Sequence, residues 1–192
     1  SLKEYAPLHN PAEARGIEAF MKILPNVPEV GVFDTSFHHT LDPVHYLYSI
    51  PYKYFDKYKA RKYGAHGTSV RYVSARAAEM MGKDLKDLKL IVCHLGSGAS
   101  ITAVKGGKSY DTSMGFTPVA GITMSTRSGD VDPSILQYIM KKENISIDQM
   151  IDILNDKSGL LGISGISPDM RDLKHNPDKR AQLARKIFVN RI

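Results

Sequence analysis

Lys89-Leu90-Ile91-Val92-Cys93-His94-Leu95, then Gly96-Ser97-Gly98, then Ala99-Ser100-Ile101-Thr102-Ala103-Val104-Lys105 is the stretch on which the fold turns. Two runs rich in aliphatic and β-branched residues flank three small ones, which reads as strand, tight reversal and second strand. Lys105-Gly106-Gly107-Lys108 repeats the reversal and leads into Ser109-Tyr110-Asp111-Thr112. The pattern predicts an antiparallel meander with a glycine turn at each end. Cys93 lies inside the aliphatic run and is expected to be buried. It is the chain's one cysteine, so it has no internal disulfide partner, and a reducing, cytoplasmic location fits it.

Helices flank the meander. Thr68 or Ser69 is the expected cap of a helix filled by Val70 to Met81 and stopped by Gly82. Downstream, Asp132 and Pro133 open a helix through Lys142, and Ser146 with Gln149 forms a capping box for another through Asn155. Near the start, Pro11 opens a helix over Ala12 to Leu24 with Ile17, Phe20, Met21 and Leu24 on one face. Glu29 to Asp34 reads as a short apolar strand with a carboxylate at its C-terminal tip, the edge where α/β folds gather ligands. A domain boundary or hinge is expected near residue 37. Asp178 to Ile192 is amphipathic, with Leu183, Ile187 and Phe188 on its apolar side, and it stops without glycine, proline or cap, so the chain is expected to be cut from a longer one. The fold class is α/β.

Composition narrows the function. Hydrophobic residues make up 42% and charged residues 24%, as in ordinary globular domains. No apolar run approaches the ~18 residues of a membrane span, and no membrane partner is expected. The formal charge is +6. Tyr52 to Tyr63 alternates basic and aromatic residues, as single-strand nucleic-acid binders do. A solvated helix with its tyrosines packed on the body accounts for the same letters, and no nucleic-acid partner is expected. Excess positive charge also suits an enzyme with anionic substrates. Asn144-Ile145-Ser146 matches a glycosylation sequon by chance.

Three glycine-flanked polar loops carry the chemistry: Tyr63-Gly64-Ala65-His66-Gly67-Thr68-Ser69, His94-Leu95-Gly96-Ser97-Gly98-Ala99-Ser100, and Thr126-Arg127-Ser128-Gly129-Asp130. Glycine lets backbone approach a ligand, and neighbouring N–H groups and cations then serve one anion, phosphate being the expected one. Taken singly, Gly96-Ser97-Gly98 also fits an ordinary hairpin and Arg127 a surface ion pair. Thr102 to Ser109 misses the P-loop pattern because its first glycine is replaced by Thr102, and a hairpin turn explains it better. His38, His39 and His45 match no zinc spacing and are expected to face solvent. No metal ligand is assigned within this chain.

Together these loops resemble the acetate kinase family along essentially the whole chain. Further matching motifs are Leu8-His9-Asn10-Pro11, Val32-Phe33-Asp34-Thr35-Ser36-Phe37-His38, Asp111-Thr112-Ser113-Met114-Gly115 through Pro118, and Asp169-Met170-Arg171-Asp172. The resemblance implies the two-domain actin-like, ribonuclease-H-type fold. Residues 1–36 would be the tail of the N-terminal, acyl-substrate domain, and residues 37–192 a truncated C-terminal nucleotide-binding domain. It implies phosphorylation of acetate by ATP with Mg²⁺ in a cytoplasmic homodimer.

By the same resemblance Asp34, His66 and Arg127 are catalytic. His94, Leu95, Gly96, Ser97 and Gly98 hold the ATP phosphates, and Asp169, Met170 and Arg171 line the adenosine end. Leu8, His9, Ala65 and Pro118 wall the acyl pocket. Acetate is already ionised and needs no general base, so Asp34 is expected to orient Mg²⁺, water or a neighbouring cation. Ala65 stands where the family usually has phenylalanine, Val70 where it has histidine, and Ser97 where it often has asparagine. A small residue at 65 is expected to leave room for propionate or butyrate, which makes a short-chain acyl kinase one alternative. A nucleotide-binding module without turnover is another, because family segments that complete the active site fall outside this chain. By itself the chain is expected to be inactive. One spatial demand underlies this reading: His66, Arg127 and the bend at 96–98 must converge on a single polyanion.

Overall fold

The computed structural model describes residues 10–192. Its centre is the expected meander: β1 (Lys89–Leu95), β2 (Ala99–Lys105) and β3 (Lys108–Thr112), all antiparallel in the order β1-β2-β3. The small residues at 96–98 pair Leu95 with Ala99, and the next turn pairs Lys105 with Lys108. β2 lies between the other two and buries Ala99, Ser100, Thr102 and Val104. β1 is an edge strand, and Val92 is its one fully buried residue. Ile91, Cys93 and Leu95 point to the other face and are exposed. The expected burial of Cys93 is therefore corrected: the run is apolar without a break from Leu90 to Cys93, but a strand shows only alternate residues to one face.

Helix α4 (Gly67–Met81) lies over β1. Val70, 0% exposed, joins Phe37, Val92 and Val104 in one core cluster, a burial worth about 1.5–3 kcal/mol for such a side chain. Gly82 ends α4 in the left-handed conformation at φ 59°, as expected. Its start differs, since neither Thr68 nor Ser69 caps it and His66 holds the N-cap position. A second cluster, Ala99, Met114, Ile122 and Met124 with Ala65 and Ile101 against it, fills the space under the glycine loops.

The remaining helices follow their sequence signals. Asp132 caps α5 (Pro133–Glu143), and the Ser146–Gln149 capping box opens α6 (Ile147–Asp156). Asn144 takes the left-handed position that closes α5. Three short-range pieces, α7 (Gly159–Ser164), α8 (Met170–Lys174) and α9 (Lys179–Arg191), share a third cluster of Leu160, Leu173, Ala181 and Ala184. The inward side of α9 is thus Ala181, Ala184 and Phe188, and Leu183 is exposed. Small residues set that face because α7 and α9 pack closely.

Upstream, helix α1 (Asn10–Ile23) forms as expected, with none of its residues buried and Ile17, Phe20, Met21 and Leu24 exposed. Three other expectations fail. Glu29 to Asp34 is not a strand: no ladder pairs it among the described residues, and Val30, Val32 and Phe33 are exposed. A strand exists only with a neighbour to bond. His38 is not solvent-facing but 1% exposed, in the 3₁₀ turn Ser36–Thr40. Two short helices, α2 (Pro43–Tyr46) and α3 (Lys53–Tyr58), complete the chain. Tyr52, Tyr54 and Tyr58 around α3 are exposed rather than packed on the body, and Lys53 and Lys57 lie over the rings of Tyr54 and Tyr58.

Candidate functional site

His66 has φ 60° and ψ 21°, a left-handed conformation uncommon outside glycine. A carboxylate from far upstream holds it there. Asp34 Oδ2 accepts from the His66 N–H at 2.5 Å, and Asp34 Oδ1 from the Thr68 N–H at 3.3 Å. The Asp34 carbonyl accepts from the Gly67 N–H at 2.8 Å. The first amides of a helix have no partner inside it, so one residue satisfies three donors at the start of α4 and places a negative charge at the positive end of its dipole. A Cβ on Gly67 would sit 2.2 Å from the Asp34 carbonyl oxygen, so the contact requires glycine. From the other side His38 Nε2–H donates to the Ala65 carbonyl at 2.8 Å, while His38 Nδ1 lies 2.8 Å from the Ser109 hydroxyl.

The His66 ring stacks on that of His94, with centroids 3.9 Å apart and planes at 17°. Each ring is pinned through Nδ1: His66 by the Ser100 hydroxyl at 2.8 Å, His94 by the Ser69 hydroxyl at 2.9 Å. Their Nε2 atoms face the glycine turn. A methyl built on Gly98 would lie 3.4 Å from His66 Nε2 and 3.1 Å from Arg127 Nη1, and one on Gly96 would lie 3.5 Å from His94 Nε2. The turn, two imidazoles and a guanidinium therefore border one space. His66, Arg127 and the bend at 96–98 are thus neighbours around that space.

Arg127 reaches this space because its loop is strapped on three sides. Ser125 N–H donates to the Ser97 carbonyl, Ser128 N–H to Leu154, and Ser158 N–H to Thr126. Arg127 itself is half-buried and forms no ion pair among the described residues. Its Nη1 has only long contacts, 3.5 Å to the Pro118 carbonyl and 3.9 Å to Met124 Sδ. The Asp156 carboxylate favours the charged guanidinium without forming an ion pair with it, and a partly desolvated cation is ordinarily completed by a closer anion. Burial, then the His94 imidazole and, more weakly, Arg127 push the His66 pKa down to about 4, against a smaller opposing pull from Asp34. His66 is therefore neutral at pH 7.

The other expected site residues divide. Ala65 packs beside Met114 and Met124, and Pro118 touches Arg127 through its carbonyl, so both adjoin the cleft. Leu95 is exposed on the open face of the sheet. Asp169 and Arg171 are bonded to each other at the start of α8, where the guanidinium holds the Asp169 carboxyl at a pKa of about 2. Met170 packs on the α7–α9 cluster. Among the described residues, no hydrogen bond or ion pair of Asp169 or Arg171 reaches His66, Arg127 or the turn. Leu8 and His9 lie outside the described residues. Sequence reasoning missed the roles of His38, Ser69, Ser100 and Ser109. The available signal was Ser100 and Ser109 on strands, polar residues at positions that face the core.

The cleft fits a phosphate chain: two glycines leave room where a methyl would intrude, and one unpaired cation with two ring nitrogens lines it. Among the described residues no three His, Cys, Asp or Glu side chains gather, and the Asp34 carboxylate accepts from two backbone amides.

The acetokinase family model matches residues 1–192. The acetate kinase of Lacticaseibacillus paracasei is 65% identical and matches 100% of this chain and 49% of its own length. That of Enterococcus faecalis is 63% identical with the same coverage. The crystal structure of Porphyromonas gingivalis acetate kinase superposes with a TM-score of 0.90 at 47% identity, over 96% of this chain and 47% of that one. A propionate kinase from Francisella tularensis gives 0.92 at 48% identity, over 96% and 48%. The chain thus spans about half the length of the curated relatives it matches.

Proposed function

Because the chain belongs to the acetokinase family, we propose that a full-length protein carrying it transfers the γ-phosphoryl group of ATP to the carboxylate of acetate, giving acetyl phosphate and ADP. The observation that carries this reading is the convergence of Arg127 Nη1 and His66 Nε2 on the space beside Gly98. ATP brings the transferable phosphoryl group; the residues of this chain bind and orient it. The turn at 96–98 lets the phosphates approach the backbone. Arg127 offers a rigid fork to two oxygens at once, and neutral His66 offers a ring N–H. Phosphoryl transfer asks a protein mainly for position and charge, and these groups supply both. Asp34 acts through His66 by fixing the backbone that carries the ring.

The family implies Mg²⁺, an ion held by one or two carboxylates together with the substrate's own phosphates, which when bound would offset charge on the transferring phosphoryl group. The Asp169–Arg171 segment is proposed for the adenosine end, and Ala65 with Pro118 for the acyl pocket, with Leu8 and His9 beside them. The reading includes a cytoplasmic homodimer; no helix among the described residues is long and apolar enough to cross a membrane. It also includes a domain division near residue 36, in keeping with Phe37 being the first buried side chain described.

Arg127→Ala in the full-length protein tests the proposal. Loss of such a preorganised donor lowers turnover on the order of 10²–10³-fold, with a much smaller change in KM for ATP. Near-normal turnover refutes the role. A propionate-preferring enzyme is the second reading, favoured by the small side chain of Ala65 and by the similarity to a solved propionate kinase. Kinetics on acetate, propionate and butyrate decide between them.

A further inference from the structure

Ser100 is 0% exposed, and its hydroxyl has one hydrogen-bond partner among the described residues, His66 Nδ1 at 2.8 Å. A hydroxyl carries one proton, which must go somewhere. If Nδ1–H donated to Ser100 Oγ, the serine proton would lie buried with no acceptor, which is costly. If Ser100 donates to Nδ1, the buried hydroxyl proton has an acceptor. His38 shows the same arrangement with its tautomer fixed independently: a carbonyl can only accept, so His38 Nε2 carries the proton and Nδ1 takes that of Ser109. The ring proton of His66 is therefore on Nε2, the atom that faces Gly98 and Arg127. The opposite tautomer would aim a bare lone pair at an arriving phosphate.

We infer that Ser100 is a positioning residue that holds His66 as its Nε2–H tautomer, so that the uncharged imidazole enters the cleft as a hydrogen-bond donor to an anion. Ser69, only half-buried, makes the corresponding contact with His94 Nδ1 at 2.9 Å. The inference rests on reading the cleft as a polyanion site, but the tautomer can be measured without turnover.

Imidazole nitrogen NMR on the full-length protein, with Ser100→Ala and Ser69→Ala variants, provides the test. His38 serves as the internal Nε2–H reference. In the native protein His66 shows the Nε2–H pattern, and Ser100→Ala converts it to a tautomer mixture while His38 is unchanged. Ser69→Ala alters His94 in the same way. Turnover in Ser100→Ala falls roughly tenfold with little change in KM for ATP, the signature of a contact made in the transition state. An Nδ1–H pattern in native His66, or no change on removing the Ser100 hydroxyl, overturns the inference. Expected spectra in a protein that forms no acetyl phosphate would instead overturn the proposed function and leave the tautomer assignment standing.

Discussion

Gly98→Ala, made in the full-length protein, separates the anion cradle from the fold. Gly98 is not among the residues with positive φ, so alanine fits its backbone without strain. At such a position the exchange gains about 0.4–1 kcal/mol by stiffening the unfolded chain. Against that stands the new methyl, 3.1 Å from Arg127 Nη1 and 3.4 Å from His66 Nε2, where ordinary contacts fall at about 3.5–4.0 Å. The closer atom is the far end of a flexible side chain, which yields a few tenths of an ångström. Net stability therefore changes by less than about 1 kcal/mol. The cost falls on the ligand, because a phosphate oxygen and a methyl group cannot share that space. A displacement of about 1 Å in a reacting group costs on the order of 10²-fold in rate. A coupled acetyl phosphate assay beside a thermal melt reads both quantities: turnover collapses while the melting temperature holds. Turnover within about threefold of native would show that the phosphates bind elsewhere.

Three further outcomes are expected. Gly67→Ala places its methyl 2.2 Å from the Asp34 carbonyl and 2.8 Å from Phe37 Cβ; neither can retreat far, and the melt should show a loss of at least about 1–3 kcal/mol. Ser146→Ala removes the capping box of α6 and should cost about 1 kcal/mol with turnover unaffected; a loss of activity there would indicate that α6 does more than support the Arg127 loop. Burial lowers the pKa of His38, and burial with neighbouring charges lowers that of His66 to about 4, from 6.5. The unfolded chain then binds more protons than the folded one, so their contribution is complete above pH 6.5 and is lost as pH falls from there through the folded pKa values. The melting temperature should drop on acidification from neutral pH, and less steeply in His38→Gln; parallel slopes would show that His38 does not titrate with unfolding.

The meander, its turns and the cap of α6 were legible because each signal is local: seven-residue runs rich in aliphatic and β-branched residues, glycines between runs, a serine three positions before glutamine. What failed depends on distant partners. Cys93 was misplaced because a continuous aliphatic run does not say whether its sheet is covered on one face or two. The cap of α4 escaped because the carboxylate that supplies it lies 32 residues upstream. His38 looked like a loop histidine, since its serine partner is 71 residues away. The candidate site was more readable than its supports. Glycine, histidine and arginine advertise a phosphate site by their types, whereas Ser69 and Ser100 are ordinary residues until the rings they orient are seen.

The grip of Asp34 on the start of α4 has a mechanical side. Residues 10–34 bury no side chain, yet the last of them, Asp34, is tied by three bonds to the amides of His66, Gly67 and Thr68. A swing of that arm by an ångström or more must either snap those ties or drag the imidazole with it. Motion upstream is thus geared directly to the ring that faces the glycine turn, with no intervening linkage to absorb the slack.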